Sequence, residues 1–156
     1  MKTLGQILQT KGNETWTVAP DTTVFAALEL MAERDIGALV VVEDDDVVGI
    51  FSERDYARKV ILAGKSSRTI PVSSIMTKNV ICVRPEQTVN KCMALMTEKH
   101  VRHLPVLDNG KLVGVISIGD VVKSVINEQQ VMITHLEDYI YGWFCVVRRV
   151  HLEIYG

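Results

Sequence analysis

The sequence predicts a mixed α/β (α+β) fold of two tandem β-α-β-β-α units packed with pseudo-twofold symmetry. Three observations predict it: a gapless internal repeat, helical and strand periodicities in the same order in each copy, and turn residues at matching places. Shifted by 65 positions, residues 18–58 fall on 83–123 with 13 identities in 41 positions. Val18, Pro20, Thr23 and Val24 meet Val83, Pro85, Thr88 and Val89, while Gly49, Ser52 and Asp55 meet Gly114, Ser117 and Asp120. Many mismatches are conservative, apolar for apolar as at Leu28/Met93 and Ile50/Val115 or acid for amide as at Asp44/Asn109.

Each copy opens with an extended stretch, Thr15 to Ala19 or Val80 to Arg84, that stops at a proline. A helix follows, with Val24, Leu28 and Met31, or Val89, Met93 and Met96, on one face. Ala38 to Val42 is a continuous apolar run, as expected of a strand covered on both faces. Glu43–Asp46 and Asp108–Lys111 read as hairpin turns, leading into strands Val47–Phe51 and Leu112–Ile116. Ser52 and Ser117 stand at the N-caps of closing helices expected over Glu53–Ala63 and Ile118–Ile126. The expected division is 1–66 for the first repeat with its N-terminal segment, 67–127 for the second, and 128–156 for a C-terminal helix and tail. Residues 64–69 form a polar connector, 72–76 a short helical piece and 128–141 a further helix; the stretch from Trp143 stays open between helix, added strand and tail. A single unit has too small a core to stand alone, so the two are expected to pack side by side.

Composition narrows the function. Apolar residues make up 47% and charged residues 23%, which is globular, and a net charge of −2 gives no basic field for a nucleic acid. Cys82, Cys92 and Cys145 are too far apart for a zinc or disulfide framework and read as reduced thiols. The N-terminus lacks a secretion-signal pattern, and the longest apolar runs fall far short of the roughly 20 residues needed to span a bilayer. The expectation is a cytoplasmic protein with no membrane partner.

Chemistry concentrates in Gly49–Asp55 and Gly114–Asp120: a glycine, two strand residues, a serine at the corner and an aspartate one turn into a helix. Helix N-termini offer unpaired N–H groups to a phosphate, and the aspartate can accept both hydroxyls of a ribose. Singly, Ser-x-x-Asp also reads as a capping box. Its duplication, which pairs two such corners around a cleft, favours a nucleotide site. No Ser-His-Asp, Cys-His or paired-carboxylate pattern points to catalysis, so the chain reads as a non-enzyme.

The repeat, the entry Val101-Arg102-His103-Leu104-Pro105-Val106 and the two Gly-h-h-Ser-x-x-Asp corners resemble a tandem pair of CBS domains (cystathionine β-synthase type), also called a Bateman module. The resemblance covers residues from about 5 to 127 and is strongest to small stand-alone CBS-pair proteins. It implies clefts for AMP, ADP, ATP or NAD(H), with S-adenosylmethionine ranked below them, dimerisation into a flat disc, and regulation of an unnamed protein in trans. Carried onto this chain, the principal site would use Asp120 for the ribose, Ser117 for the phosphate or ribose edge, and Arg102 and His103 for phosphates. Lys11, Trp16 and the Ile36-Gly37-Ala38 backbone would form its far wall. Trp16 is read as either a base-stacking or a core residue, and His103 as either a ligand or a structural histidine. A weaker second site would use Ser52, Arg54 and Asp55, facing Met76, Ile81 and the Val101-Arg102 backbone. Gly37 and Ala38 stand there at the places of Arg102 and His103, so the Asp120 site is expected to dominate. The alternative is a scaffold or dimerisation protein with empty clefts, its apolar helices forming the dimer face.

Overall fold

The computed structural model describes residues 1–12 and 14–141; the expectations for the stretch from Trp143 lie outside them. Helix α1 (Leu4–Lys11) comes first, started by a capping box in which Thr3 Oγ1 accepts from Gln6 N and Gln6 Oε1 accepts from Thr3 N. The first repeat contains β1 (Thr17–Val18), α2 (Val24–Arg34), β2 (Ala38–Glu43), β3 (Asp46–Ser52) and the short α3 (Glu53–Asp55), which continues as a π-helical turn over Tyr56–Ile61. A 3₁₀ turn at Val72–Ser74 leads to the second repeat: α4 (Val89–Lys99), β4 (His103–Asp108), β5 (Lys111–Ser117) and α5 (Ile118–Tyr141).

Local chemistry explains the matching elements. Thr23 and Thr88 cap α2 and α4 by accepting from the N–H three residues on, and both helices end at a left-handed residue, Asp35 or His100. Their buried faces are Val24, Ala27, Met31 and Val89, Cys92, Met96. Ala27 and Cys92 are thus the fully buried residues of the middle turn, with the expected Leu28 packed partly buried against the first core and the expected Met93 exposed. Both hairpins turn through two residues of positive φ, Asp44-Asp45 and Asn109-Gly110, the twist that two-residue hairpins favour.

The sheets differ at one residue. β1 pairs parallel with β2, which pairs antiparallel with β3. In the second repeat β4 and β5 pair in the same register, but Val80–Arg84 contributes only the single bridge Val83–Val106. Pro105, at the place of Val40, has no N–H with which to extend that pairing toward Ile81.

Chain order does not decide which segment completes which core. The N–H groups of Val72 and Ser73 bond to the carbonyls of Thr22 and Pro20, and Val24 N–H to Ile70 O. Leu4 and Gly5 bond in the same way to Gln87 and Pro85, and Val89 to Lys2. Leu4, Ile7 and Leu8 accordingly lie in the core of the second repeat, with Val83, Leu104, Ile116 and Val121. The segment grouped by sequence with repeat one closes repeat two. In the other core Val24, Leu39, Val41 and Phe51 pack with Val72 and Ile75 from beyond the connector. Gly49 and Gly114 permit this close approach, since a Cβ at either would run into Met76 or Leu8.

The closing helices also depart from expectation. The expected helix over Glu53–Ala63 is a short α-turn widened into a π-turn, while those expected over 118–126 and 128–141 are one continuous helix, α5.

Candidate nucleotide site

Each corner is built by its strand-to-helix turn. At the end of β5, Asp120 Oδ2 accepts from Ser117 N at 2.8 Å, and Ser117 Oγ accepts from Asp120 N at 3.2 Å. At the end of β3, Asp55 Oδ2 accepts from Ser52 N and Ser52 Oγ, both at 3.0 Å. Both are thus capping boxes; what surrounds them decides what else they can do.

Asp120 opens on a cleft of about 310 Å³ lined by Lys11, Glu14, Thr15, Trp16, Asp35, Ile36, Gly37, Ala38, His103, Val115, Ser117 and Asp120. Eight of the nine residues expected at the principal site therefore meet there. The ninth, Arg102, does not: it lines the neighbouring cleft of about 220 Å³ with Ser52, Glu53, Arg54, Asp55, Thr77, His100 and His103. Arg102 lies just before β4 and lines only the second cleft, whereas His103, the first residue of β4, lines both. The second cleft has therefore not lost its basic residues, as the sequence comparison with Gly37 and Ala38 implied. Met76 and Ile81, expected to wall it, pack instead against the two hydrophobic cores.

The aspartates carry different lysines. Lys11 Nζ, from α1, sits 2.7 Å from Asp120 Oδ2 and 2.8 Å from Val115 O. Asp55 Oδ1 is held by Lys59 Nζ at 2.8 Å, which also donates to Ile75 O. Asp120 keeps 22% of its side chain exposed against 12% for Asp55, so the first carboxylate is the more reachable. Lys59 was missed in the sequence; its i,i+4 spacing from Asp55 was the available signal. Its counterpart in the repeat is Ser124, whose Oγ is buried without a hydrogen-bond partner.

Electrostatics follow from this packing. Burial raises the carboxyl pKa of Asp120, but the Lys11 ammonium and the Ser117 donors outweigh it and hold the group below its usual range. Burial pushes the His103 imidazole below its ordinary value; Asp120 opposes the shift while Lys11 and Arg102 add to it. His103 is therefore neutral at pH 7. Its ring lies against Gly37, 3.5 Å from where a Cβ would stand, and lines both clefts. Burial raises the Cys82 thiol and takes Cys92 to about 11, so both remain protonated.

The far wall is partly engaged. The Arg34 guanidinium stacks 3.9 Å from the centre of the Trp16 ring, covering one face of that indole. Arg54 reaches across the second cleft to donate to His100 O at 3.3 Å. Gly119, at the matching place in the first cleft, leaves that side open. Glu14, Thr15 and Asp35 were missed in the sequence, although Asp35 follows the last helical residue of α2 where a left-handed cap is needed. Among the described residues no group of three or more side chains is placed to hold a metal ion, and no helix is long and apolar enough to cross a membrane.

Two corner-and-cleft arrangements on a duplicated β-α-β-β-α frame are the pattern that the comparisons with known proteins match. The CBS domain family model matches twice, over residues 13–61 and 72–127. The chain belongs to the CBS-domain family. Relatives include the mitochondrial CBS domain-containing protein CBSX3 of Arabidopsis thaliana, 38% identical over 91% of this chain and 73% of its own length. The CBS domain-containing protein YhcV of Bacillus subtilis is 30% identical over 80% of this chain and 89% of its own. Among solved structures, a putative signal-transduction protein with CBS domains from Burkholderia ambifaria aligns with a TM-score of 0.79 at 54% identity, covering 82% of this chain and 96% of that one. The CBS pair of protein MJ0100, in complex with 5′-methylthioadenosine and S-adenosylmethionine, aligns with a TM-score of 0.73 over 82% of this chain and 98% of its own, and at 22% identity shows the shared fold alone.

Proposed function

We propose that this CBS pair is a non-enzymatic regulatory module whose Asp120 cleft binds an adenine nucleotide, AMP, ADP, ATP or NAD(H), and which acts as a homodimer on a regulated protein in trans. The observation that carries the reading is the accessible Asp120 carboxylate at the start of α5, facing Trp16 and the Ile36–Ala38 backbone across a cleft of nucleoside size. In this reading adenine lies between Trp16 and Ile36, and the ribose hydroxyls bond to Asp120. The phosphates run toward Ser117 and His103, with Arg102 beyond. Glu14 and Asp35 make the outer rim acidic, which favours ligands with few phosphates over ATP. Lys11 must release Asp120 Oδ2 to admit the ribose and can then turn to the first phosphate.

The family setting supports an adenosine ligand, as in the MJ0100 complex, and leaves the choice of nucleotide to experiment. Isothermal titration of the purified chain with AMP, ATP, NADH and S-adenosylmethionine is expected to give at least one affinity tighter than about millimolar. No binding by any of them would leave the scaffold reading in its place, which draws on the exposed apolar side chains of α5.

A further inference from the structure

Helix α5 changes role along its length. As far as Glu128 it belongs to the body: Val121 and Ser124 are buried, and Glu128 Oε1 accepts from Lys2 N at 2.8 Å. From Gln129 to Tyr141 every residue is exposed. A helix of this length that leaves Ile133, Leu136 and Ile140 in water gains nothing from its own domain for doing so.

One set of the exposed apolar residues keeps a strict order. Val122, Ile126, Gln129, Ile133, Leu136 and Ile140 are spaced 4, 3, 4, 3 and 4 residues apart, and all but Gln129 are large, apolar and exposed. Val122, Gln129 and Leu136 recur every seven residues, as do Ile126, Ile133 and Ile140, which is the heptad repeat of a coiled-coil seam. The surface fits another helix of the same period.

Charge selects both partner and direction. Along one flank of the seam stand Lys123, Gln130 and Glu137; along the other stand Val125, Met132 and Tyr139. We propose that α5 pairs with α5 of a second copy of this chain as an antiparallel coiled coil centred near residue 131. Ile126 then packs opposite the partner's Leu136, and Ile133 opposite the partner's Gln129. Lys123 lies beside the partner's Glu137, and by symmetry the pair occurs twice. The exposed Met132 and Tyr139 are covered on the other flank. A parallel pair sets Glu137 beside the partner's Met132 and stacks Gln129 on itself, with no attractive ion pair. The homodimer is already part of the proposed function; the seam names the helix that makes it and the direction of pairing. It needs no nucleotide, so ligand-free protein tests it separately.

Sedimentation equilibrium of the full ligand-free chain is expected to show a dimer at about 20 µM. The double variant Ile133→Glu/Leu136→Glu is expected to weaken it by about 100-fold or more, with the near-ultraviolet circular dichroism of the body unchanged. Lys123→Glu and Glu137→Lys each weaken it by about tenfold, and the two together restore it to within about threefold of the original. A monomeric wild-type chain at about 100 µM would mean that another helix or residues 142–156 cover the seam, and overturns the proposal. So does a dimer that survives the double glutamate variant, because a different face then holds it. A combined charge swap as weak as the single changes overturns the antiparallel arrangement.

Discussion

The two corner aspartates share a local cap and differ in what surrounds it. Asp55 is held by Lys59, one turn along its own helix, and Thr77 Oγ1 lies 3.4 Å from its Oδ1. Both its oxygens are engaged from within the first repeat or its closing segment, as in a structural ion pair. Asp120 meets a lysine from the opposite end of the chain, and both Lys11 and the Ser117 N–H bond to its Oδ2, leaving Oδ1 toward the cleft without a partner among the described residues. A carboxylate with an uncommitted oxygen on an open cleft can accept a diol, whereas one locked by its own helix supports the fold. Duplication therefore produced two caps, and their packing made one of them reachable.

The largest test of that contrast is paired substitution. Asp120→Asn is expected to weaken AMP binding by about 100-fold, the worth of about 3 kcal/mol in two charge-assisted hydrogen bonds. Asp55→Asn should change it by less than about threefold. Titration calorimetry reads both, and equal losses would break the comparison.

Next comes the packing that closes each repeat. Gly114→Ala is expected to lower stability by about 1–3 kcal/mol, because its methyl group meets Leu8 deep in the second core. Gly49→Ala should cost less, since the unbranched Met76 can move aside. Urea midpoints compare the two, and a larger loss from Gly49→Ala would reverse the ranking.

The lysines sharpen the contrast further. Lys11→Met should reduce the preference for AMP over adenosine by about tenfold, since the ammonium is the cation nearest the ribose site. Lys59→Met should leave that preference unchanged. The smallest effect is on pH. The His103 imidazole lies below its ordinary value of 6.5 in the folded chain, so the unfolded chain binds more protons as pH falls through that value. Stability should therefore decline on acidification from pH 7.5 to 5.5, and His103→Gln should flatten the melting temperatures across that range. Asp120 acts lower: its depressed pKa contributes stability above its ordinary 3.8 that is lost as pH falls below it.

Much of the frame was legible in the residues because it rests on local rules. Threonine N-caps, apolar runs and turn residues repeat at one offset, and each acts within a few positions of the chain. The corner motif was legible for the same reason. The placement of Arg102 was not, because the repeat shows which residues correspond but not which cleft each side chain enters. The roles of α1 and of the full α5 also escaped, since an amphipathic helix shows a face without showing what covers it.

By itself the sequence determined the duplicated β-α-β-β-α order, the two capped aspartates and the family to which they belong, because periodicity and capping are short-range. Only the tertiary structure decided that α1 completes the second repeat, that Lys11 pairs directly with Asp120 Oδ2 while Lys59 holds Asp55, and that Arg102 turns to the neighbouring cleft. Those outcomes depend on contacts between residues as much as 109 positions apart, which burial selects only once both repeats have packed.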